Sequence, residues 1–204
     1  MRVVPFGDSA VLVELEQRID ARLVARAAAI ADAWDLGEAV PAYASALLRF
    51  DPLATSPDEA LARATRLAGM RDERRPRQGR LVEIAVRYGG PDLEETAALS
   101  GMSAGELVAL HAAREYRAFF LGFMPGFAYC GTLDPRIVAP RLHVPRPRVP
   151  AGAVAVADGQ TAVYPFDSPG GWRIIGATDT RVFDPASDQP ALVRAGDRVR
   201  FRPA

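Results

Sequence analysis

The chain has 204 residues, of which 49% are apolar and 25% charged, an ordinary composition for one large or two small globular domains with a buried core. Its 25 basic residues, all of them Arg, are balanced by 25 acidic residues, so the charge does not favour a general nucleic-acid or membrane-surface binder. Because Lys is absent, Schiff-base catalysis and a P-loop lysine are excluded.

The sequence shows neither a targeting signal nor a metal-binding pattern. The chain contains no run of about 18 apolar residues, and its opening stretch alternates like a strand instead of forming the apolar segment of a signal peptide. We therefore expect a cytoplasmic protein that binds neither membrane nor nucleic acid. One Cys and two His are too few for the usual zinc site, so no metal site is expected.

Residues 1–88 alternate strand and helix signals. The opening strand is followed by an amphipathic helix that Asp20 can cap, and the stretch AVPAYASALLRF alternates as a second strand. Ser56 and Glu59 then form a capping box that opens a second helix, and LVEIAVRY alternates as a third strand. This β-α-β-α-β pattern predicts an α+β domain over residues 1–88.

Residues 89–204 begin with two short helices and continue with strands. The helices are separated at Gly101, and capping signals open them at Asp92 and Ser103. The later stretches AVAVA, TAVYPF, WRIIGAT and RVRF are separated by Gly, Pro and Asp turns, which is typical of a compact β-barrel or sandwich. The sequence therefore predicts a helical connection plus an all-β domain over residues 89–204.

Two motifs combine aromatic residues with Gly and Pro. FFLGFMPGFAYCG ends at Gly131, and QTAVYPFDSPGGW ends at Trp172. Each motif is either core packing around a tight turn or the wall of a site whose glycines bring backbone N–H groups close to a carboxylate or phosphate. The residues alone leave both interpretations open.

Histidines and arginines supply the remaining candidates. His111 ends a predicted helix, where it is either a dipole-stabilised surface group or a general acid or base; His143 is a weaker candidate. The stretch PRIVAPRLHVPRPRVPAG carries Arg136, Arg141, Arg146 and Arg148 without an acidic residue. This stretch is either a solvated loop or a surface that faces an anionic substrate.

Taken together, FFLGFMPGFAYCGTLD, PRPRVPAGAVAVADGQTAVYP and SPGGWRIIGATDTRVFDP resemble the family known as allophanate hydrolase subunit 1. That family includes the kinase inhibitor KipI and the B subunit of the bacterial ATP-dependent 5-oxoprolinase. The resemblance implies an N-terminal α+β domain followed by a cyclophilin-like β-barrel. It also implies a hydrolase subunit that opens 5-oxo-L-proline to L-glutamate in a heteromeric complex.

The resemblance further implies cofactors and partners. ATP would be used, with Mg as its companion, at a site on this chain or shared with a partner. The partners would be a larger protein of the KipA or 5-oxoprolinase C type and a third 5-oxoprolinase component of the A type. Two alternatives stay open: a KipI-type histidine-kinase inhibitor, and a component of a urea or allophanate amidolyase.

The family motifs also imply site residues. Among the catalytic candidates, His111 would move protons, Arg148 would pair with a carboxylate or phosphate, and Gln160 and Tyr164 would hydrogen-bond the lactam. The residues implied to contact the substrate are Tyr116, Gly122, Phe123, Pro125, Gly126, Phe127, Tyr129, Gly152, Thr161, Pro169, Gly170, Gly171 and Trp172.

Overall fold

The computed structural model describes residues 1–16, 21–70 and 79–204. The chain divides into two compact units, Met1–Arg77 and Gln78–Ala204. The predicted cap at Asp20 lies outside the described residues. In the described part of the chain, the helices are too short or too polar to span a bilayer.

The first unit is an antiparallel sheet with two helices. It contains strands β1 (Arg2–Pro5), β2 (Ala10–Glu14), β3 (Ala39–Pro41) and β4 (Ser45–Arg49), and helices α1 (Ala21–Asp32) and α2 (Pro57–Gly69). The strands pair in the order β1-β2-β4-β3. Both helices pack on the sheet through one core, which joins Val13 and Leu48 to Ile30 of α1 and Leu67 of α2. The predicted α+β domain is therefore confirmed.

Each of the first two predicted strands is in fact a hairpin. β1 turns back at Gly7, which adopts φ +68°, and pairs with β2 so that Val3 faces Val13. β3 likewise pairs with β4, with Val40 opposite Leu47. The observed order is therefore β-β-α-β-β-α. The sequence pattern does not reveal the two hairpin turns, because the alternation of apolar and polar residues continues through a short turn.

The second unit begins with a strand that the sequence pattern places in the first domain. β5 (Leu81–Tyr88) pairs in parallel with the last strand, β13 (Arg198–Pro203), and its Ile84 shares a core with Phe201. The predicted boundary after Tyr88 is therefore wrong, and the division falls between Arg77 and Gln78. Local alternation fixed which face of β5 is buried, but not which sheet the strand joins.

The rest of the second unit is a closed barrel with two helices and a separate ladder. The further elements are α3 (Leu93–Leu99), α4 (Ala104–Ala112), β6 (Glu115–Leu121), β7 (Ala128–Gly131), β8 (Arg146–Val149), β9 (Ala153–Ala157), β10 (Gln160–Val163), β11 (Ser168–Gly170) and β12 (Arg173–Ala177). The barrel order is β10-β7-β6-β13-β5-β12-β9, and β8 pairs with β11 beside it. This closed barrel confirms the predicted fold class.

The barrel wall is buried on both faces along β9. Val154 and Val156 belong to the interior core, which draws side chains from every strand of the barrel. Ala153, Ala155 and Ala157 belong instead to a second core, which contains the rings of both aromatic motifs. Because side chains alternate across a strand, this second core lies on the outer side of the wall. The rings of Phe127, Tyr129, Tyr164 and Trp172 therefore pack outside the barrel.

Candidate functional site

His111 lies inside the barrel at the end of α4. Its side chain is fully buried, with Nδ1 2.7 Å from the Tyr88 hydroxyl and Nε2 2.9 Å from the Thr161 hydroxyl. The imidazole stacks on Phe201, with 4.7 Å between the ring centroids. Burial lowers the pKa of His111 to about 3, so the ring is neutral at physiological pH.

The residues around His111 form one buried network. Tyr116 donates its hydroxyl hydrogen to the His111 carbonyl over 2.8 Å, and neither Tyr116 nor Thr161 is exposed to solvent. Roles in proton transfer for His111 and in substrate contact for Tyr116 and Thr161 conflict with this burial. The structure gives them a positioning role that ties α4 to β5, β6 and β10. Sequence spacing located His111 at a helix end but not on the helix face that enters the barrel.

The turn between β6 and β7 holds the first aromatic motif. Gly122 is half-buried, Pro125 is exposed, and Phe123 is 61% exposed with φ +66°. At Gly126, φ is +81° and a Cβ atom would lie 2.6 Å from Cβ of Phe183. Gly126 is therefore required by a turn packed under a ring, and its predicted backbone contact with a ligand is not supported by this geometry.

Phe127 is the centre of the aromatic cluster outside the barrel. Its ring makes edge-to-face contacts with Tyr129, Tyr164 and Trp172, at centroid distances of 4.9, 5.2 and 5.5 Å. Tyr129 is half-buried, whereas the other three rings are buried. The structure thus brings the two predicted motifs together, but mainly as a packed core.

Burial also bears on the two side chains predicted to hold the lactam. Tyr164 is 1% exposed and Gln160 is 3% exposed. Burial raises the pKa of the Tyr164 phenol, which keeps the hydroxyl protonated. A Cβ atom at Gly170 would lie 2.3 Å from the Tyr164 hydroxyl oxygen, so Gly170 leaves room for that hydroxyl. Direct contact of Tyr164 with a substrate would require the cluster to open, and direct contact of Gln160 would require the residues that bury its side chain to move.

The remaining predicted residues lie around this cluster. Gly152 donates its N–H to the Tyr164 carbonyl over 2.8 Å, and its φ is +80°. Pro169 is exposed, and the Gly171 carbonyl accepts a hydrogen bond from Leu142 over 2.8 Å. These three residues lie in or next to β9 and β11, where the structure gives them a role in the course of the backbone.

A separate concavity lies beside β5 and β8, and we call it the arginine pocket. Arg87, Arg146 and Arg148 line it together with Tyr88. The rest of its wall is mainly apolar or glycine and includes Gly89, Gly90, Pro91, Pro150, Ala153, Ile174, Gly176 and Ala177. Arg146 and Arg148 are two positions apart on β8, so they project from the same face of the strand.

The deepest ion pair of the arginine pocket joins Arg146 to Asp92. Arg146 Nη2 donates to Asp92 Oδ1 over 2.6 Å, and the Ile174 N–H donates to Asp92 Oδ2 over 2.6 Å. The Asp92 side chain is 5% exposed and that of Arg146 29%. The Asp92 carboxylate, predicted to cap α3, thus anchors Arg146 instead. Among the described residues, nothing accepts a hydrogen bond from the buried Arg146 Nη1.

The other two arginines of the pocket form exposed ion pairs. Arg148 Nε donates to Asp167 Oδ2 over 2.8 Å, and Arg87 Nη2 donates to Asp179 Oδ1 over 2.8 Å. The Arg87 guanidinium holds the pKa of Asp179 below its usual value. Each of the three arginines therefore faces one carboxylate, and the local charge is balanced.

Sequence reasoning named Arg148 and placed Arg146 in a stretch that faces either solvent or an anion. It did not identify Arg87 or Tyr88, which occupy the end of β5. A link between these positions and Arg148 could not be read from local patterns, because β5 and β8 are far apart in sequence. The fold of the second unit places the end of β5, a barrel strand, and β8, which lies beside the barrel, at one pocket.

ATP, which the family resemblance implies, would need unpaired positive charge for its phosphates. The arginine pocket supplies guanidinium groups, but Asp92, Asp167 and Asp179 already balance them. Within the part of the chain that the structure describes, no group of three or more His, Cys, Asp or Glu side chains could hold a metal ion. The charge balance of the pocket does not fit a triphosphate.

Comparisons with known proteins agree over nearly the whole chain. A family model described as carboxyltransferase domain, subdomain C and D, matches residues 1–193. A Bacillus subtilis (strain 168) protein, named as the B subunit of 5-oxoprolinase, is 38% identical over 98% of this chain and 91% of its own. An Escherichia coli O157:H7 protein of the same name is 41% identical, over 97% of this chain and 93% of its own.

A solved structure shows the same fold within a much longer protein. The structure of the K. lactis urea amidolyase superposes with a TM-score of 0.84 at 18% sequence identity. The match covers 99% of this chain and 15% of the amidolyase chain. At this identity the likeness carries the fold alone.

Proposed function

Because the chain belongs to the family described as carboxyltransferase domain, subdomain C and D, we propose that it is the B subunit of an ATP-dependent 5-oxoprolinase. The observation that carries the proposal is its relationship, over nearly its whole length, to two proteins named as B subunits of 5-oxoprolinase. The reaction would open 5-oxo-L-proline to L-glutamate in the cytoplasm, where ATP is available.

The proposal assigns this chain a supporting place in a heteromeric enzyme. An amide in a five-membered ring is unreactive toward water, and ATP would supply the activation that makes its carbonyl electrophilic. The charge-balanced arginine pocket leads us to place the nucleotide and its Mg mainly on a partner of the KipA or 5-oxoprolinase C type. A third component, of the 5-oxoprolinase A type, would complete the assembly.

The buried His111 network supports this division of labour. A neutral, solvent-inaccessible imidazole is unsuited to exchanging protons with a substrate or water in the free chain. The contribution of this chain to the complex would then come from its exposed surfaces, above all the arginine pocket. We propose that the free chain is inactive and that its partners supply the acid and base groups.

The test is to co-express this chain with the partner genes and to measure ADP release that depends on 5-oxo-L-proline. Turnover by the complex, with none from the separate proteins, is the expected result. A complex that forms but releases no ADP with 5-oxo-L-proline would overturn the proposal. Urea serves as an alternative substrate and histidine-kinase autophosphorylation as an alternative readout, because they report on the amidolyase and kinase-inhibitor hypotheses.

A further inference from the structure

We propose that the arginine pocket binds the carboxylate of a small, compact organic acid. Under the proposed function that acid is 5-oxo-L-proline, so its identity rests on that function, whereas its chemical class rests on the pocket. This assignment adds Arg87 and Arg146 to Arg148. It also separates ligand binding from the aromatic cluster, where the two sequence motifs had placed it.

The composition of the pocket wall indicates the kind of ligand. Small-molecule sites are mostly apolar, with a few convergent polar groups that fix the ligand's orientation. Here the apolar surface comes from side chains such as Pro91, Pro150 and Ile174, and the charged groups are three guanidiniums. A compact ring with one carboxylate matches this pairing, because the ring can contact the apolar wall while the carboxylate meets the arginines.

The hydrogen-bonding capacity of the arginines indicates where the carboxylate would bind. A guanidinium has five N–H donors in a fork that matches a carboxylate. Within the described residues the buried Nη1 of Arg146 has no acceptor, and a buried donor without a partner is costly. A small shift of Arg146 toward a bound carboxylate would give Nη1 an acceptor, while Asp92 keeps hold of Nη2.

Arg148 and Arg87 can join Arg146 at little cost. Their ion pairs with Asp167 and Asp179 are solvent-exposed, and exposed pairs contribute little to stability. Either guanidinium can therefore turn toward a ligand without unfolding the barrel. Both guanidiniums would then contact a carboxylate that Arg146 also binds.

The charge of the pocket favours a monoanion over a nucleotide. Three guanidiniums are opposed by Asp92, Asp167 and Asp179, so the local charge before binding is balanced. A single carboxylate adds one negative charge. Arg148 or Arg87 can pair with this charge by turning away from its solvent-exposed aspartate. A triphosphate would place several negative charges beside these three aspartates, and like charges repel at this range.

The experiment measures binding to the full chain without partners, by calorimetry and by the NMR signals of the arginine side chains. Four probes are used: 5-oxo-L-proline, 2-pyrrolidinone, inorganic phosphate and ATP. Of these, 2-pyrrolidinone is the ring of 5-oxo-L-proline without the carboxylate. The expected result is saturable binding of 5-oxo-L-proline, with 2-pyrrolidinone weaker by about 10-fold or more. Equal binding of both rings, tighter binding of phosphate or ATP, or no binding would overturn the proposal.

Variants locate the binding site. Arg148→Gln removes an exposed guanidinium, so the variant should fold normally, and binding should weaken by about 10- to 100-fold. Arg146→Gln should weaken binding at least as much, with thermal unfolding used to verify that it folds. Arg49→Gln is the matched control, because Arg49 is an exposed arginine paired with Glu38 in the other unit. Binding that survives Arg148→Gln unchanged would overturn the proposal.

The assembled enzyme separates failure of this inference from failure of the proposed function. If the complex turns over 5-oxo-L-proline and Arg148→Gln leaves KM unchanged, the pocket assignment is wrong and the function stands. If the free chain binds 5-oxo-L-proline through Arg148 but the complex has no activity, the pocket stands and the function is wrong.

Discussion

Tyr88 and His111 link the wall of the arginine pocket to the interior of the barrel. The Tyr88 hydroxyl lies 2.7 Å from His111 Nδ1, and the same tyrosine lines the pocket. The second imidazole nitrogen reaches Thr161 on β10. The position of Tyr88 in the pocket wall is therefore tied to a fully buried imidazole.

Replacing Tyr88 by Phe should test this link. The ring would remain, but His111 Nδ1 would lose its partner in a buried place, and we expect the free energy of unfolding to fall by about 1–3 kcal/mol. Thr161→Val removes the contact of the other imidazole nitrogen and should cost a similar amount. Urea unfolding of the full chain measures both, and unchanged stability in both variants would show that the network is not structural.

The burial of His111 makes a pH-dependent stability prediction. Its pKa is about 3 in the folded chain and about 6.5 in the unfolded chain, so only the unfolded chain binds this proton between those values. Stability contributed by the neutral ring is thus fully present above about pH 6.5 and declines as the pH falls. The slope should approach about 1.4 kcal/mol per pH unit.

The measurement for His111 is urea unfolding between about pH 5 and 6.5, where most carboxylates stay ionised. His111→Gln should remove most of the slope, whereas His143→Gln should keep it because His143 is exposed. Equal slopes in the two variants would contradict the assignment of this proton to His111.

Removing the Asp92 carboxylate should strongly destabilise the second unit. Asp92→Ala would leave Arg146 largely buried without its partner and would free the Ile174 N–H, and we expect a loss of about 3–5 kcal/mol. Asp179→Ala is the control, because it removes the partner of Arg87 from an exposed pair and should cost less than about 1 kcal/mol. Chemical denaturation compares the two, and similar losses would argue against a buried anchor.

Two glycines with the same positive φ should differ in their tolerance of alanine. Gly152 and Gly159 both adopt φ +80°, but a Cβ atom at Gly152 would lie 2.3 Å from the Thr178 carbonyl oxygen, whereas the space at Gly159 is open. Gly159→Ala should cost about 1 kcal/mol from backbone strain alone. Gly152→Ala should cost clearly more, and thermal unfolding that ranks them the other way would refute the crowding.

Local signals in the sequence predicted what is local in the structure. The capping box of Ser56 with Glu59 is present, and Ser103 forms the corresponding box with Glu106. Asp92 looked similar, yet its carboxylate binds Ile174 and Arg146, which are far along the chain. A capping pattern predicts which nearby backbone N–H a side chain can bind. A distant partner that binds the side chain more strongly prevents that local hydrogen bond.

The site was less predictable than the fold, because it too depends on contacts between residues that are far apart in the sequence. Gly/Pro-rich aromatic motifs are compatible with a ligand wall and with a packed cluster, and only the positions of Phe127 and Trp172 show the cluster. The arginine pocket combines Arg87 from β5 with Arg148 from β8, and no spacing rule connects them. The resemblance identified the family, whereas the surroundings of each side chain depend on contacts between distant parts of the chain.

The parallel pairing of β5 with β13 has a consequence for synthesis on the ribosome. β5 opens the second unit and β13 ends it at Pro203, yet they are neighbours in the barrel. The first unit can fold as soon as it emerges, but β5 must wait until more than a hundred further residues have been translated. Until then its edge is open to other nascent chains, so prompt association with chaperones during translation would favour a good yield of this protein.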